Sequence, residues 1–407
     1  MVDLQNRLKN LGFVPASSLK IPNKEFQRKI EDELGGYRII SNQGEIIVVE
    51  NIFPYGSAYG DLIIQNENKS NEIYKFCKST TFTTFIRQHV FIDTETTGLN
   101  GGTGTIPFLL GFGFYNEKGF ITRQFFLDDP SDELAQLIEF SREMEKFETT
   151  VTFNGKSFDL PLLKTRFLLA QLSNPLDSFS HIDLLHISRK IWKNRLPDRS
   201  LKELESNILG YTRSQEDIPG WLIPQVYFDY LRTGDSSQLR NVIYHNQIDI
   251  VSMAVLYQKI DKMLLGRKII NSIDPLDLFS IAQMYLQINE IDEAICLFEK
   301  CLLFTSLSIS IFQNIHMNLG MIFKKRKEFE KSIPHWIASA ELDNIEACIE
   351  LAKYFEHQER NSKEANFWAN KAYNLLEASN MSKHQKIREF KKIQKRTTRL
   401  LGRIQSV

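Results

Sequence analysis

Residues 89–98, His89-Val90-Phe91-Ile92-Asp93-Thr94-Glu95-Thr96-Thr97-Gly98, decide how the chain is read. The apolar run from His89 to Asp93 predicts a strand. On a strand alternate side chains share a face, so Asp93 and Glu95 point one way while Ile92 and Thr94 point the other. Their β-carbons would stand about 6.6 Å apart on that geometry. Two negative charges at that separation repel by roughly 2.5 kcal/mol at an effective dielectric near 20. A solvated strand end tolerates this. A strand entering a core does not, unless a proton or a cation offsets it. Taken alone, the pair also has an ordinary account as two solvated strand-end acids.

Working outward, residues 86–265 have an α/β pattern. Ile106–Tyr115 and Phe120–Leu127 predict two more strands, joined by the turn Asn116-Glu117-Lys118-Gly119. With the first strand they read as an antiparallel meander. Pro130-Ser131-Asp132-Glu133 opens a helix, with Ser131 as the expected N-cap. Thr149–Phe153 predicts a fourth strand, followed by a helix to about Ala170, and His181–Leu185 a short fifth. Helices then dominate to about Leu264.

Two further segments carry acids in unusual places. In Thr152-Phe153-Asn154-Gly155-Lys156-Ser157-Phe158-Asp159-Leu160-Pro161 a strand ends in Asn-Gly and Asp159 leads into an apolar helix. A helix N-cap is the ordinary account of Asp159, with Pro161 in the first turn; it leaves the Asn-Gly unexplained. In Tyr244-His245-Asn246-Gln247-Ile248-Asp249, the residue Asp249 borders an apolar stripe of Leu239, Val242, Ile243, Ile250, Met253, Ala254 and Tyr257. The ordinary account there is a helix-edge acid paired with a nearby cation.

Together, D-x-E-T-T-G, N-G-x-x-x-D and H-N-x-x-D, in this order, resemble the three exonuclease motifs of the DEDD superfamily on a ribonuclease H-like fold. Gly98–Gly113, Asp183-Leu184-Leu185-His186, Ser200-Leu201-Lys202 and Asp217-Ile218-Pro219-Gly220 are similar to the YprB-type bacterial branch. The resemblance covers about 90–262. It implies a mixed five-stranded sheet flanked by helices, with Asp93, Glu95, Asp159 and Asp249 binding two divalent cations, Mg²⁺ or Mn²⁺. Hard carboxylate oxygens suit those ions, and no Cys/His cluster suggests zinc. The implied activity is 3′–5′ hydrolysis of DNA or RNA at a single-stranded 3′ end by a two-metal mechanism. Structure-specific endonuclease activity, or a nucleic-acid-binding scaffold without turnover, are the alternatives.

The superfamily supplies its general base as a Tyr three residues before the last Asp or a His four before it, counted in intervening residues; here His245 has three between and Tyr244 four. On a regular helix His245 lies about 40° from Asp249 and Tyr244 about 140° away. His245 is the expected base, its ordinary pKa being near neutrality. The resemblance further implies that Asn154 contacts the terminal nucleotide and that Thr96 to Gly98 let backbone approach it. Asp183 reads either as an acid supporting the site or as a helix N-cap. Arg189, Lys190, Lys193, Arg195, Arg199, Lys202 and Arg213 read either as phosphate contacts or as a solvated face.

The remaining chain divides into residues 1–85, of no assigned chemistry, residues 272–380, and a basic helix at 381–407. Residues 272–380 resemble tetratricopeptide repeats: three helical hairpins whose second helices start near Ala294, Ser332 and Ala365, close to a 34-residue period. They imply a protein partner; an unrelated helical bundle is the alternative. Lys383–Arg403 carries nine Lys or Arg against Glu389 alone among acids, and reads as solvated or as a nucleic-acid contact. Lysine plus arginine equal aspartate plus glutamate, 50 to 50, which argues against a protein that merely coats nucleic acid. Cys77, Cys296, Cys301 and Cys348 fit neither zinc nor a disulfide framework. With no signal peptide and no long apolar run expected, the chain reads as cytoplasmic, without a membrane span.

Overall fold

A computed structural model of the chain describes residues 30–65, 72–77, 85–98, 102–265, 273–380 and 382–405. Residues 1–13 read from the sequence as a short amphipathic helix and residues 65–71 as a polar loop; residues 1–13, 66–71 and 99–101 lie outside the described residues. The chain forms two compact units, dividing after Leu265.

The first unit opens with α1 (Ile30–Leu34), β1 (Tyr37–Ser41), β2 (Gly44–Pro54), and the short β3 (Ala58–Tyr59) and β4 (Leu62–Ile63). Strands β5 (His89–Thr96), β6 (Pro107–Tyr115) and β7 (Gly119–Phe126) follow, then α2 (Glu133–Met144), β8 (Thr149–Thr152), α3 (Asp159–Leu169), β9 (Ser180–Asp183) and α4 (Leu184–Ile191). The unit closes with α5 (Leu201–Leu204), α6 (Ile223–Thr233) and α7 (Leu239–Leu264). Seven strands make one sheet in the order β1-β2-β7-β6-β5-β8-β9. β5, β6 and β7 are the expected antiparallel meander, while β8 and β9 run parallel to β5.

Two expectations change. The five strands foreseen within 86–265 are joined by β2, which pairs with β7 through the register Val48↔Phe125, and by β1, which pairs with β2, so both belong to the same sheet. Residue 85 is therefore no structural boundary: Ile46–Val49 are buried in the same core as Phe112 and Phe140. The cap before α2 also differs. Asp129, not Ser131, supplies the oxygen, accepting from Ser131 N at 2.8 Å and capping a 3₁₀ turn that leads into α2.

Helix α7 lies across β5, β6 and β7. Every residue of its expected apolar stripe, Leu239 to Tyr257, is buried. Its close approach depends on Gly111 and Gly113, two residues apart and so on one face of β6. A β-carbon at Gly111 would overlap the Asn246 side-chain oxygen and stand 2.6 Å from Ile250 Cδ1; one at Gly113 would stand 2.5 Å from Ile250 Cγ2.

The second unit is helical, as expected: α8 (Pro275–Gln287), α9 (Ile291–Cys301), α10 (Ile309–Lys325), α11 (Phe329–Glu341), α12 (Ile345–His357), α13 (Ser362–Ala378) and α14 (Lys383–Gln405). Its first six helices pair as three hairpins whose turns repeat. Asn289, Lys327 and Arg360 have positive φ (64°, 62°, 55°), and each stands five residues before the fully buried Ala294, Ser332 or Ala365. Small side chains there let the paired helices approach, and the left-handed residue ends the first helix of each pair.

On the basic helix α14 most of the described cations are exposed, as on a solvated helix, but one face is not. Arg396 is largely buried against Glu356, whose side chain has no solvent exposure, Arg399 and Arg403 reach the same carboxylate from half-exposed positions, and Ile393 and Leu400 enter the core. Removing the charge complement of a buried carboxylate is expensive, so Arg396 is committed to packing.

Gly111→Ala should destabilise the chain by about 1–3 kcal/mol, the range for overpacking a filled core. Urea unfolding checks this; an unchanged midpoint would mean that α7 does not rest on Gly111.

Candidate active site

The acids come from three places on the first unit. Asp93 and Glu95 sit half-buried at the end of β5, where a register shift between Glu95 and Thr96 ends regular pairing with β6. Asp159 is the first residue of α3, and Phe158 is the residue before it, so Asp159 is not the N-cap. Asp249 is on α7.

Asp93, Asp159 and Asp249 each have a partner of their own. Asn246 donates its amide to Asp93 Oδ2 at 2.8 Å and to the Asp93 carbonyl at 3.2 Å, while its own side-chain oxygen accepts from Gln124 Nε2 at 2.8 Å. Asp93, Gly111 and Gln124 are successive partners across β5, β6 and β7, so this polar row crosses the sheet on the face under α7. Thr94 Oγ1 donates to Asp159 Oδ1 at 2.6 Å. Arg213 is ion-paired with Asp249.

Among the described residues no three His, Cys, Asp or Glu side chains are gathered as a ready-made ligand set. The four carboxylates nevertheless feel one another. Burial, then the charges of Asp249 and Asp159, push Asp93 well above the usual carboxylate range. Burial and the charges of Asp93, Asp249 and Asp159 do the same to Glu95. Burial raises Asp159 to about 6 against the hydrogen bond from Thr94. A donor set of hard oxygens, under-neutralised and partly buried, fits hard divalent cations: a positive ion there would relieve the repulsion that now favours protons.

Of the two aromatic candidates on α7, only His245 faces the acids. Its Nε2 stands 3.8 Å from Asp249 Oδ2 and its Nδ1 2.7 Å from Asp217 Oδ1. Tyr244 is engaged elsewhere: its hydroxyl lies 3.2 Å from Tyr211 Oη and accepts from Ser214 N at 3.2 Å.

Other expected residues shape the rim. Asn154 is exposed and takes a positive φ of 67°, which explains the Asn-Gly at the strand end: the chain turns there in the left-handed region. A β-carbon at Gly155 would come within 2.5 Å of Thr152. Asp183 proves to be both an N-cap and a support. It accepts from Leu185 N at the start of α4, and from Asn154 N (2.9 Å) and Lys156 N (3.2 Å) in the turn. Thr96 donates to the Gly98 carbonyl at 2.8 Å, tying the segment beyond β5.

Comparison with known proteins follows this geometry. A family model described as the RNase_H superfamily matches residues 90–261, the span from β5 to α7 that contains all four acids. The fold is ribonuclease H-like. The chain is 34% identical over 275 residues to the protein named "Uncharacterized protein YprB" of Bacillus subtilis (strain 168). That alignment covers 66% of this chain and 65% of the relative, so the chain spans just under two thirds of its length. Among solved structures, the family B DNA polymerase of Pyrobaculum calidifontis aligns with 74% of this chain and 35% of its own, at 12% identity and a TM-score of 0.34. Among the described residues no helix is long and apolar enough to cross a membrane.

Arg213 organises this site, and neither of the roles expected for it, a phosphate contact or part of a solvated face, is what it does. It is 6% exposed in its side chain and binds Glu205 through two nitrogens at 2.6 Å each, Asp217 at 3.2 Å, and Asp249. Glu205, with 1% side-chain exposure, is pushed upward by burial and held down by Arg213. Arg213 thus serves the interior rather than a phosphate. Its sequence signal is faint, one cation within a basic stretch, because its three acidic partners are spread over Glu205 to Asp249.

Arg213→Met should cost about 3–5 kcal/mol, because it strands Glu205 as an unpaired buried charge. Pairing it with Glu205→Gln should recover part of that loss in urea unfolding. A single variant as stable as the parent would show that the pair is idle.

Proposed function

We propose that this chain is a metal-dependent nuclease that hydrolyses phosphodiester bonds from single-stranded 3′ ends of DNA or RNA. The observation that carries this reading is that β5, α3 and α7 meet at the acids: Asn246 of α7 bonds Asp93 and Thr94 of β5 bonds Asp159, while burial, and then the charges of neighbouring acids, raises the proton affinity of Asp93 and Glu95. Asp93, Glu95, Asp159 and Asp249 would hold two Mg²⁺ or Mn²⁺ ions. When bound, such ions lower the pKa of an attacking water and balance charge on the departing 3′ oxygen.

The protein's own residues do the rest. Asn246 holds Asp93 and Thr94 holds Asp159, so those carboxylates are oriented before any ligand arrives. His245, near Asp249, accepts a proton from the attacking water as general base. The turn at Asn154 and Lys156, exposed and a few residues before Asp159, would meet the terminal nucleotide, with Thr96 to Gly98 on the neighbouring strand end. Trp221 is 70% exposed and follows Gly220, which faces His245; an open aromatic there suits an unpaired base by stacking. The three repeated hairpins of the second unit support a tetratricopeptide-like array and a protein partner for it.

One observation favours a second reading, a nucleic-acid-binding scaffold without turnover: Arg213 already neutralises Asp249. Melting temperature against added Mn²⁺ separates the two. An active site gains stability as ligand binds, by about 2.7 kcal/mol at a hundred times Kd, whereas a site closed by its own guanidinium gains none.

End-labelled single strands with Mn²⁺ should shorten stepwise from the 3′ end, and Asp93→Ala should abolish this while the chain stays folded by circular dichroism. Internal cuts would instead indicate an endonuclease, and an Asp93→Ala protein as active as wild type would refute the site. His245→Ala should lower turnover by about 10²–10⁴-fold, the share a general base supplies. Tyr244→Phe should cost far less; the reverse ranking in single-turnover assays would make Tyr244 the base.

A further inference from the structure

His245 is placed by more than its helix. Its Nδ1 lies 2.7 Å from Asp217 Oδ1, a contact across 28 residues that the sequence motifs did not assign. An ionised carboxylate only accepts hydrogen bonds, so Nδ1 must carry the proton and Nε2 is left with its lone pair. Arg213 NH1 also stands 3.3 Å from Nδ1, and a guanidinium only donates. Nδ1 cannot serve both. The carboxylate contact is shorter, and Arg213 NH1 has an alternative acceptor in Asp217 Oδ1 at 3.2 Å.

We propose that Asp217 is the positioning residue for His245, fixing the ring in the tautomer that leaves Nε2 bare on the side of the carboxylates. Asp217 itself is firmly set. Arg213 holds one carboxylate oxygen and Lys202 Nζ stands 3.6 Å from the other. The hydrogen bond of His245 and the charge of Arg213 outweigh burial and keep Asp217 below the usual carboxylate range, so it stays an acceptor. The neighbouring Ile218 is buried in the core and Pro219 has a φ of −61°, which together anchor the loop. On the other edge of the ring Nε2 is beyond hydrogen-bond reach of Asp249 at 3.8 Å. It also faces Gly220, where even an added β-carbon would be 3.9 Å away. Nε2 therefore keeps its lone pair for a proton donor.

The functional side of this inference rests on His245 being the base of the proposed nuclease; the control of the ring does not. The full chain, labelled with ¹⁵N-histidine and kept in EDTA at about pH 8 where an imidazole is neutral, reports the ring directly by long-range ¹H–¹⁵N correlation. His245→Gln identifies its signals among the eight histidines. The expected result is a proton on Nδ1 in the wild type, a shift toward the Nε2–H form in Asp217→Asn, whose amide can donate to Nδ1, and retention of Nδ1–H in Asp217→Glu. An Nε2–H ring in the wild type, or an unchanged ring in Asp217→Asn, overturns the proposal; should Asp217→Asn not fold, the wild-type spectrum decides. In hydrolysis assays Asp217→Asn should lose at least about tenfold in kcat with KM little changed, and Asp217→Glu should recover part of it. A wild-type ring as expected, in a protein that cuts no phosphodiester, refutes the nuclease reading and supports Asp217's control of the ring.

Discussion

An acid at the buried end of a central strand must be given a donor, and in this protein the donor reaches it through a gap in the sheet. Asp93 is met by Asn246, which is held in turn by Gln124, and all three groups lie over Gly111. Without a side chain at that position α7 can settle onto β6 closely enough for a buried amide to span the distance. The same settling brings Asp249 and His245, one turn apart on α7, to the end of β5. Packing and chemistry therefore share one contact. A residue that looks like a void in the strand is what permits a polar group to be satisfied inside the core.

Charge is arranged around that contact in two tiers. The inner tier is the four carboxylates, which repel one another and stay partly buried. The outer tier is Arg213 with Glu205, Asp217 and Asp249, a cation shared among three acids, two of which lie outside the inner group. Because Glu205 is buried more deeply than Asp249, and is bound through two nitrogens, the guanidinium is anchored on the interior side. Asp249 belongs to both tiers, and Asp217 carries the arrangement onward to His245. Ser252 extends it further, donating to Glu205 at 2.5 Å and meeting Tyr59 at the same distance. In this way the strand pair β3 and β4 is tied to α7 beneath the site.

The second unit solves a different problem by repetition. Three hairpins place a left-handed turn residue and a buried small residue at the same relative positions, so each pair closes by the same contact. The last helix, α14, has no hairpin partner following it among the described residues. It is held instead by arginines on a buried glutamate. An ion-pair cluster of this kind fixes orientation more than it adds stability, since desolvating the charges offsets much of their attraction.

Local patterning was enough to read much of this from sequence. Short apolar and β-branched runs marked β5 to β9, and a helical stripe marked α7, because such patterns are properties of neighbouring residues. The order of D-x-E, N-G-x-x-x-D and H-N-x-x-D named the four acids and the histidine, and the spacing of His245 and Asp249 placed them on one helical face. Beyond reach were the pairing of β2 with β7, the convergence of Arg396, Arg399 and Arg403 on Glu356, and the roles of Asn246, Arg213 and Asp217. Each depends on residues tens of positions apart meeting in the core, and a charged or amide side chain carries no local mark of the partner it will find. Sequence alone determined which groups could do the chemistry; only the tertiary packing decided which of them are held, and by what, because burial and hydrogen-bond partners are set by neighbours in space.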